Sequence, residues 1–417
     1  MTVTTRHPVR TGEITPQPKQ LALEDTPPRR YDVIIVGGGP AGSIAGLHLA
    51  DAGYDVLIAE RDLFPRDKAC GDCLLYDSLE ALRRAGLGDD IEREAWQLPS
   101  ATIYSPGRHH FDVPGQYCTL RRKTLDTIIA YGAGTRGAAL TRANIVDAEV
   151  TTDGTVALTA TGRKEKLRAR LVMLATGAQV HLATKLGLIT RQEPSAIAVR
   201  RYVKSSYRMD KMILSYDRTL IPGYAWIIPL GNNNYNVGCG CYMKPGVSVG
   251  NLKRTLQVFL EQFPQGRELM AASSATSKLT GAALRCGLTG ADPVHPSNRI
   301  LAIGETVGTT FPFTGEGIGK AMETGELAAQ AVDEAFRTSD FSRLTTYPAR
   351  IQTELRPKYR GYFFAERWLS RPWLNDFVSW RIQKSPLLQQ RFKEFMSDTG
   401  DPRKVFAVAT VLRSFFS

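Results

Sequence analysis

The chain has 417 residues, with 53 Lys and Arg against 41 Asp and Glu for a formal charge of +12, and 43% of its residues are hydrophobic. That apolar content can bury a core and excludes disorder for most of the chain, and at roughly 150 residues per domain it predicts two or three structural units. No apolar run reaches the roughly 18 to 20 residues of a membrane-spanning helix and no secretory h-region opens the chain, so a cytoplasmic, enzyme-sized protein is expected.

The first 30 residues carry Pro8, Pro16, Pro18, Pro27 and Pro28 without hydrophobic periodicity and read as a flexible leader, with order expected from Tyr31. A strand over 32–36, a glycine-rich turn, a helix over about 41–52 and a second strand over 55–60 then make a βαβ unit. Short strands over about 100–113 and 195–243 read as a sheet inserted between pieces of the first domain. Helical patterns return over 251–263 and after Gly315. The last 72 residues hold 14 of the 36 aromatic residues and 13 basic against 6 acidic side chains, which is more than half of the whole excess charge.

Six cysteines (Cys70, Cys73, Cys118, Cys239, Cys241 and Cys286) are too sparse for a disulfide scaffold. The six histidines form no ligand spacing with either close cysteine pair, so no metal is expected.

Asp32-Val-Ile-Ile-Val36 runs into Gly37-Gly38-Gly39-Pro40-Ala41-Gly42, which places GxGxxG spacing between a buried strand and a helix. Gly37 permits the tight turn, Gly39 lets the backbone approach a pyrophosphate, and Gly42 lets helix and strand pack. Glu60 closes the second strand, where a carboxylate accepts ribose hydroxyls and disfavours a 2′-phosphate. No second fingerprint is present, so the tightly held cofactor is expected to be FAD, with NAD(P)H binding transiently. The fold class expected is α/β, a Rossmann-type FAD-binding domain with an inserted antiparallel β-sheet substrate domain and a helical C-terminal segment. The boundaries expected are a leader over 1–30, the FAD-binding domain over 31–98, 118–190 and 285–345, the substrate sheet over 99–117 and 191–284, and the basic aromatic segment over 346–417.

Several further blocks carry a resemblance. They are Glu60-Arg61 with Pro65-Arg66-Asp67-Lys68-Ala69-Cys70-Gly71; Arg122-Lys-Thr-Leu-Asp126; Pro222-Gly223-Tyr224-Ala-Trp226-Ile-Ile-Pro229 with Asn236-Val-Gly238; and Gly304-Glu305 with Pro312-Phe-Thr-Gly315-Glu-Gly317-Ile318. In this order, over about 31–403, the chain resembles the geranylgeranyl reductase family of flavoproteins, within the class built like the aromatic hydroxylases. The resemblance implies that Arg122 reaches the nucleotide half of the flavin, that the Lys68–Gly71 loop and the Gly304-Glu305 block line it, and that the Pro312–Ile318 turn starts a helix at its ring. Two positions depart from the family pattern. Thr176, in Ala175-Thr176-Gly177, and Glu305 stand where many relatives carry Asp, so Thr176 supplies no charge and Glu305 needs room for one more methylene.

Among the candidate chemical residues, Cys70 reads either as an acid near the flavin or as a small buried side chain, and Cys73 adds a CxxC that raises a dithiol relay. Tyr224 and Trp226, two apart, share one face of a strand and form either a cavity wall or ordinary sheet core. The basic aromatic tail reads as amphipathic helices closing the core, or as a surface touching an anionic membrane. Nucleic-acid binding is not expected, and the oligomeric state stays open. The leading expectation is NAD(P)H-driven reduction of an apolar, isoprenoid-type small molecule. The alternatives are a flavin monooxygenase acting on an aromatic or terpenoid natural product, a flavin halogenase, for which no lysine occurs between Lys68 and Lys123, and a flavoprotein with a vestigial redox site.

Overall fold

The computed structural model describes residues 19–243, 250–396, 400 and 402–415, so the part of the expected leader at 1–18 lies outside the described residues. The fold is the expected mixed α/β arrangement with two sheets and a helical C-terminal segment. In spatial order the first sheet carries Gln20–Leu21, Ala139–Arg142, Val56–Glu60, Arg30–Val36, Leu167–Leu174, Val156–Ala160 and Ile145–Val150, with Ile300–Ala302 also paired to Leu167–Leu174. The second sheet runs Ser273–Thr276, Ala196–Ser205, Asn234–Tyr242, Gly223–Pro229, Met212–Ser215, Trp96–Tyr104, His110–Thr119 and Cys73–Leu74, with Thr280–Leu284 on the flank of Ala196–Ser205.

The centre of the first sheet is parallel and fully covered. Val33, Ile34 and Ile35 are solvent-free, as are Val56, Leu57 and Ile58 beside them, the unbroken apolar run that a strand buried on both faces requires. Helix α1 (Pro40–Asp51) buries ten of its twelve residues. It contacts α2 (Arg122–Thr135) and α3 (Ile318–Thr338), and its small residues let it lie close on the sheet and glycine loop: a Cβ on Gly46 would sit 2.6 Å from Ile58, and one on Gly42 only 2.0 Å from the Gly37 carbonyl.

Two sequence expectations need correction. Residues 19–30 are not a flexible leader. Gln20–Leu21 pairs in parallel with Leu140–Thr141, Thr26 is buried, and the Gln20 side chain donates to the Asp62 carbonyl (3.1 Å) and accepts from the Phe64 amide (2.8 Å). A two-residue strand has no periodicity to detect, and Pro27 and Pro28 merely turn the chain into the next strand. The second sheet also reaches beyond 99–117: it begins at Trp96, ends at Thr119 and takes in Cys73–Leu74, which the sequence reading left in the FAD-binding domain.

The C-terminal segment packs on both domains: Pro372–Lys384 and Pro386–Met396 meet strand His110–Thr119 of the second sheet, with Phe392 against Phe111 at 5.1 Å, and the helix before them packs on the first domain. Helix α4 (Arg356–Leu369) sends Tyr359 and Tyr362 against Phe311, with the Phe311 and Tyr362 rings stacked at 3.8 Å, and the Tyr347 hydroxyl donates to the Ala302 carbonyl at 3.1 Å. Just before α4, Ile351–Leu355 forms a π turn. Pro357 lacks an amide N–H and its ring crowds the carbonyl four residues back, which favours a locally widened helix. Helices α5 (Pro372–Lys384) and α6 (Pro386–Met396), the short helix Pro402–Phe406 and α7 (Val408–Arg413) complete the described chain.

Because residues 19–30 belong to the core, Gln20→Ala loses three hydrogen bonds, two buried and one partly buried, and should cost about 1–3 kcal/mol. Urea unfolding measures this as a lower midpoint; an unchanged midpoint would return the segment to the status of a loose tail.

Candidate functional site

A cavity of about 250 Å³ opens between the two sheets and reaches from Gly39, Pro40 and Ala41 to the inner face of the second sheet and to Phe392, Phe395 and Met396 of α6. Its midsection is made by Lys68, Ala69, Cys70 and Gly71 on one side and by Glu305 and the Phe313–Gly319 turn on the other. The first glycine loop and the distant Pro312–Ile318 turn therefore meet at one groove.

The glycines divide their work. Gly37, at φ 107°, has no room for a Cβ, which would lie 2.3 Å from the Ala175 carbonyl, whereas a Cβ on Gly39 would meet nothing closer than Arg66 at 3.7 Å. Gly39 is also the N-cap of α1, and no side chain caps that end. The first amides of a buried helix thus face the cavity without an internal acceptor, an arrangement that fits a diphosphate.

Glu60 sits beside this loop. Its Oε2 accepts the Gly38 amide at 2.8 Å and lies 3.3 Å from Arg66 Nε. Arg66 continues to Asp126 (2.8 Å), and Asp126 holds the Arg122 guanidinium through two bonds of 2.7 and 2.8 Å. Arg122 is buried and lines the cavity.

The loop carrying Lys68 and Cys70 is pinned from the second sheet at both ends. Arg200 donates to both carboxylate oxygens of Asp67 at 2.9 Å. At the other end Asp72, in the left-handed region at φ 61°, accepts from Tyr202 Oη (2.8 Å), Asn236 Nδ2 (2.9 Å) and the Arg122 amide (3.1 Å). Burial pushes the Asp72 carboxyl up, and these hydrogen bonds oppose it. Asn236 is fully used: Nδ2 also donates to the Cys70 carbonyl at 2.7 Å, and Oδ1 accepts Trp226 Nε1 at 2.9 Å. Between the pins, Lys68 reaches Glu305 at 3.3 Å, and the other Glu305 oxygen accepts the Arg285 amide at 3.3 Å. Burial pushes the Cys70 thiol up, with Arg122 opposing, and the Cys73 thiol further up.

Tyr224 and Trp226 share a face, with ring centroids 5.9 Å apart, and both line the cavity. Tyr224 Oη donates to the Thr314 carbonyl, tying the sheet to the turn, and Tyr216 stacks on Phe313 at 5.1 Å beside it.

Of the sequence-derived site residues, Gly39, Pro40, Ala41, Lys68, Ala69, Cys70, Gly71, Arg122, Gly177, Tyr224, Trp226, Glu305, Gly315, Gly317 and Ile318 line one cavity. Gly37, Gly42, Glu60, Gly304 and Pro312 are not among its lining residues, and Glu60 lies beside its glycine-loop end, against the Gly38 amide. Two stand apart: Arg61 points to Gln179 (2.7 Å) and Asp62 (3.3 Å), and Thr176 donates to the Gln179 carbonyl at 2.6 Å, so neither faces the groove. Sequence reasoning missed Asp72, Tyr202, Arg66, Tyr216 and Phe313. An Asp after Gly71 at the close of a motif was the one available sign of a left-handed turn.

A family model described as an FAD binding domain matches residues 30–218. A menaquinone reductase of Mycobacterium tuberculosis is 32% identical over 340 residues, spanning 75% of this chain and 78% of its own length. A digeranylgeranylglycerophospholipid reductase of Methanopyrus kandleri is 29% identical over 352 residues, spanning 79% of this chain and 88% of its own. A geranylgeranyl bacteriochlorophyll reductase-like protein from Thermoplasma acidophilum shares the fold, with a TM-score of 0.74 at 21% identity over 93% of this chain and 96% of that one.

Because Gly39 is extended (φ −80°, ψ −176°) with space beside it, Gly39→Val should fold normally yet fill the place of a diphosphate. FAD affinity is expected to fall more than about tenfold, about 1.4 kcal/mol or more, with an unchanged apoprotein unfolding midpoint. A variant that titrates with FAD like the parent would move the diphosphate elsewhere.

Proposed function

The chain belongs to the geranylgeranyl reductase family of FAD-dependent oxidoreductases, and from that premise we propose that it reduces an alkene in an isoprenoid-type lipid, with NAD(P)H as the transient reductant. The observation that carries this reading is the continuity of the cavity. Its polar end lies at the α1 N-terminus, and beyond the Phe313–Gly319 turn it is walled by Ile103, Ala198, Met212, Leu214, Ile228 and Phe395. Such a wall offers a long hydrocarbon chain a dry surface and offers a charged or small polar substrate almost nothing.

When bound, FAD supplies a hydride from its reduced ring. The α1 amides and Gly39 would hold its diphosphate, Glu60 its ribose and Glu305 a ribityl hydroxyl. Tyr224 and Trp226 orient the alkene and help to exclude water. Reduction of a carbon–carbon double bond also needs one proton at the second carbon. Cys70 can hold it at Sγ, because burial raises the thiol above its ordinary value and keeps it protonated at neutral pH. Arg122 beside it stabilises the thiolate left after transfer, and water restores the proton.

The test is single turnover without oxygen. Enzyme carrying reduced FAD, mixed anaerobically with a geranylgeranyl lipid, should reoxidise its flavin and yield product with one double bond reduced per flavin. No reoxidation with any isoprenoid alkene, or product formed only with oxygen and carrying its label, would defeat the proposal. Cys70→Ala should slow alkene reduction about 10²-fold or more while flavin reduction by NAD(P)H keeps its rate. The sign of the pH effect follows from the raised thiol: the parent's alkene-reduction rate holds through neutrality and falls as rising pH ionises Cys70, a limb the variant should lack.

A further inference from the structure

Helix α5 is apolar on two sides. Leu374, Val378 and Ile382 are buried against the protein, while Trp373 (68% exposed), Phe377 (36%) and the partly exposed Trp380 run along the opposite side at spacings of four and three residues. Helix α7 repeats the pattern. Val411 points inward, Val408 (61%) and Leu412 (58%) point outward, and Phe415 (47%) follows just past its end. The Phe415 ring lies 6.4 Å from both Phe377 and Trp380, so the two helices share one patch. Scattered exposed apolar side chains need no explanation, but a contiguous aromatic patch does.

Cations frame it. Exposed Lys384, with Nζ 4.8 Å from the Trp380 ring, and exposed Arg371 and Arg413 stand at its margins, while buried Arg381 lies beneath it, its guanidinium 4.4 Å from the Phe415 ring and its Nε donating to Ser414 Oγ at 2.9 Å. Aromatic rings inside a basic rim match the layering of an anionic bilayer surface, where rings settle at headgroup depth and cations meet phosphate. A second copy of the chain matches it poorly, because an isologous contact would set this rim against itself. No described helix is long and apolar enough to cross a membrane, so contact would be peripheral.

We propose that α5 and α7 form a docking surface for an anionic phospholipid bilayer. Helix α6, next in the chain after α5, supplies Phe392, Phe395 and Met396 to the cavity, so docking brings the cavity wall to the lipid. The role in substrate delivery rests on the proposed isoprenoid reductase activity; the docking itself does not.

The experiment is flotation of the full-length, FAD-loaded protein with vesicles of phosphatidylcholine alone or mixed equally with phosphatidylglycerol. The parent protein should float with the anionic vesicles at low salt, stay down with the neutral ones, and be released by added salt. Combined Trp373→Ala and Phe415→Ala should cut partition more than about tenfold. Lys384→Glu with Arg413→Glu should do the same through charge, and both pairs should keep flavin content and unfolding midpoint. The proposal is overturned if the parent stays down with anionic vesicles, if neutral vesicles carry it equally, or if both pairs float like the parent. A parent dimer that the Trp373→Ala, Phe415→Ala pair dissolves into monomers would give the patch to a second copy instead. Flotation reads no turnover, so a protein inert toward isoprenoid alkenes would still float, and the two readings fail separately.

Discussion

One buried amide ties the two halves of the cavity together. Asn236 stands on the second sheet and spends both ends of its side chain, accepting from Trp226 and donating to the Cys70 carbonyl and to Asp72. Asp72 in turn accepts the amide at the start of α2, in the first domain. Removing one member would strand several buried polar groups at once, each costly when unpaired, so the network specifies one relative placement of sheet and loop. Everything that makes the site chemical hangs from that placement: Cys70 beside Arg122, Lys68 against Glu305, and the aromatic wall facing the turn.

The turn is held by the same logic from the other side. Tyr224 reaches from the sheet to the Thr314 carbonyl, and Tyr216 stacks on the ring of Phe313, whose backbone stands at φ 77°, a region a phenylalanine seldom adopts. A groove assembled from two domains and a turn would be soft if each part hung on its own loop. Here every loop end is tied to a strand, which suits a site that must hold a planar ring and a flexible chain in one geometry.

What could be read in the sequence was what is local. Strand, glycine turn, helix and closing acid sit within thirty residues, and each part constrains the next, so residues 32–60 were legible in detail. Tyr224 and Trp226 could be placed on one face because a strand alternates. The Asp67–Arg200 and Asp72–Tyr202–Asn236 ties were not legible, since their members stand more than a hundred residues apart and carry no spacing. Residues 19–30 were misread for a related reason: their order comes from Thr141, Asp62 and Phe64, far along the chain, and not from a pattern of their own. Arg61 and Thr176, both in blocks quoted from the sequence, bond instead to Gln179, a partner that no spacing in those blocks announces.

The π turn at Ile351–Leu355 acts as a phase shifter. An α-helix advances about 100° per residue, so one residue absorbed in a wide turn rotates everything downstream by roughly that angle. Without it, Tyr359 and Tyr362 would swing off Phe311, and Phe311 backs the very strand of chain that leads into the Pro312–Ile318 turn. A defect in helical regularity therefore sets the angular register between the C-terminal helices and the turn at the cavity.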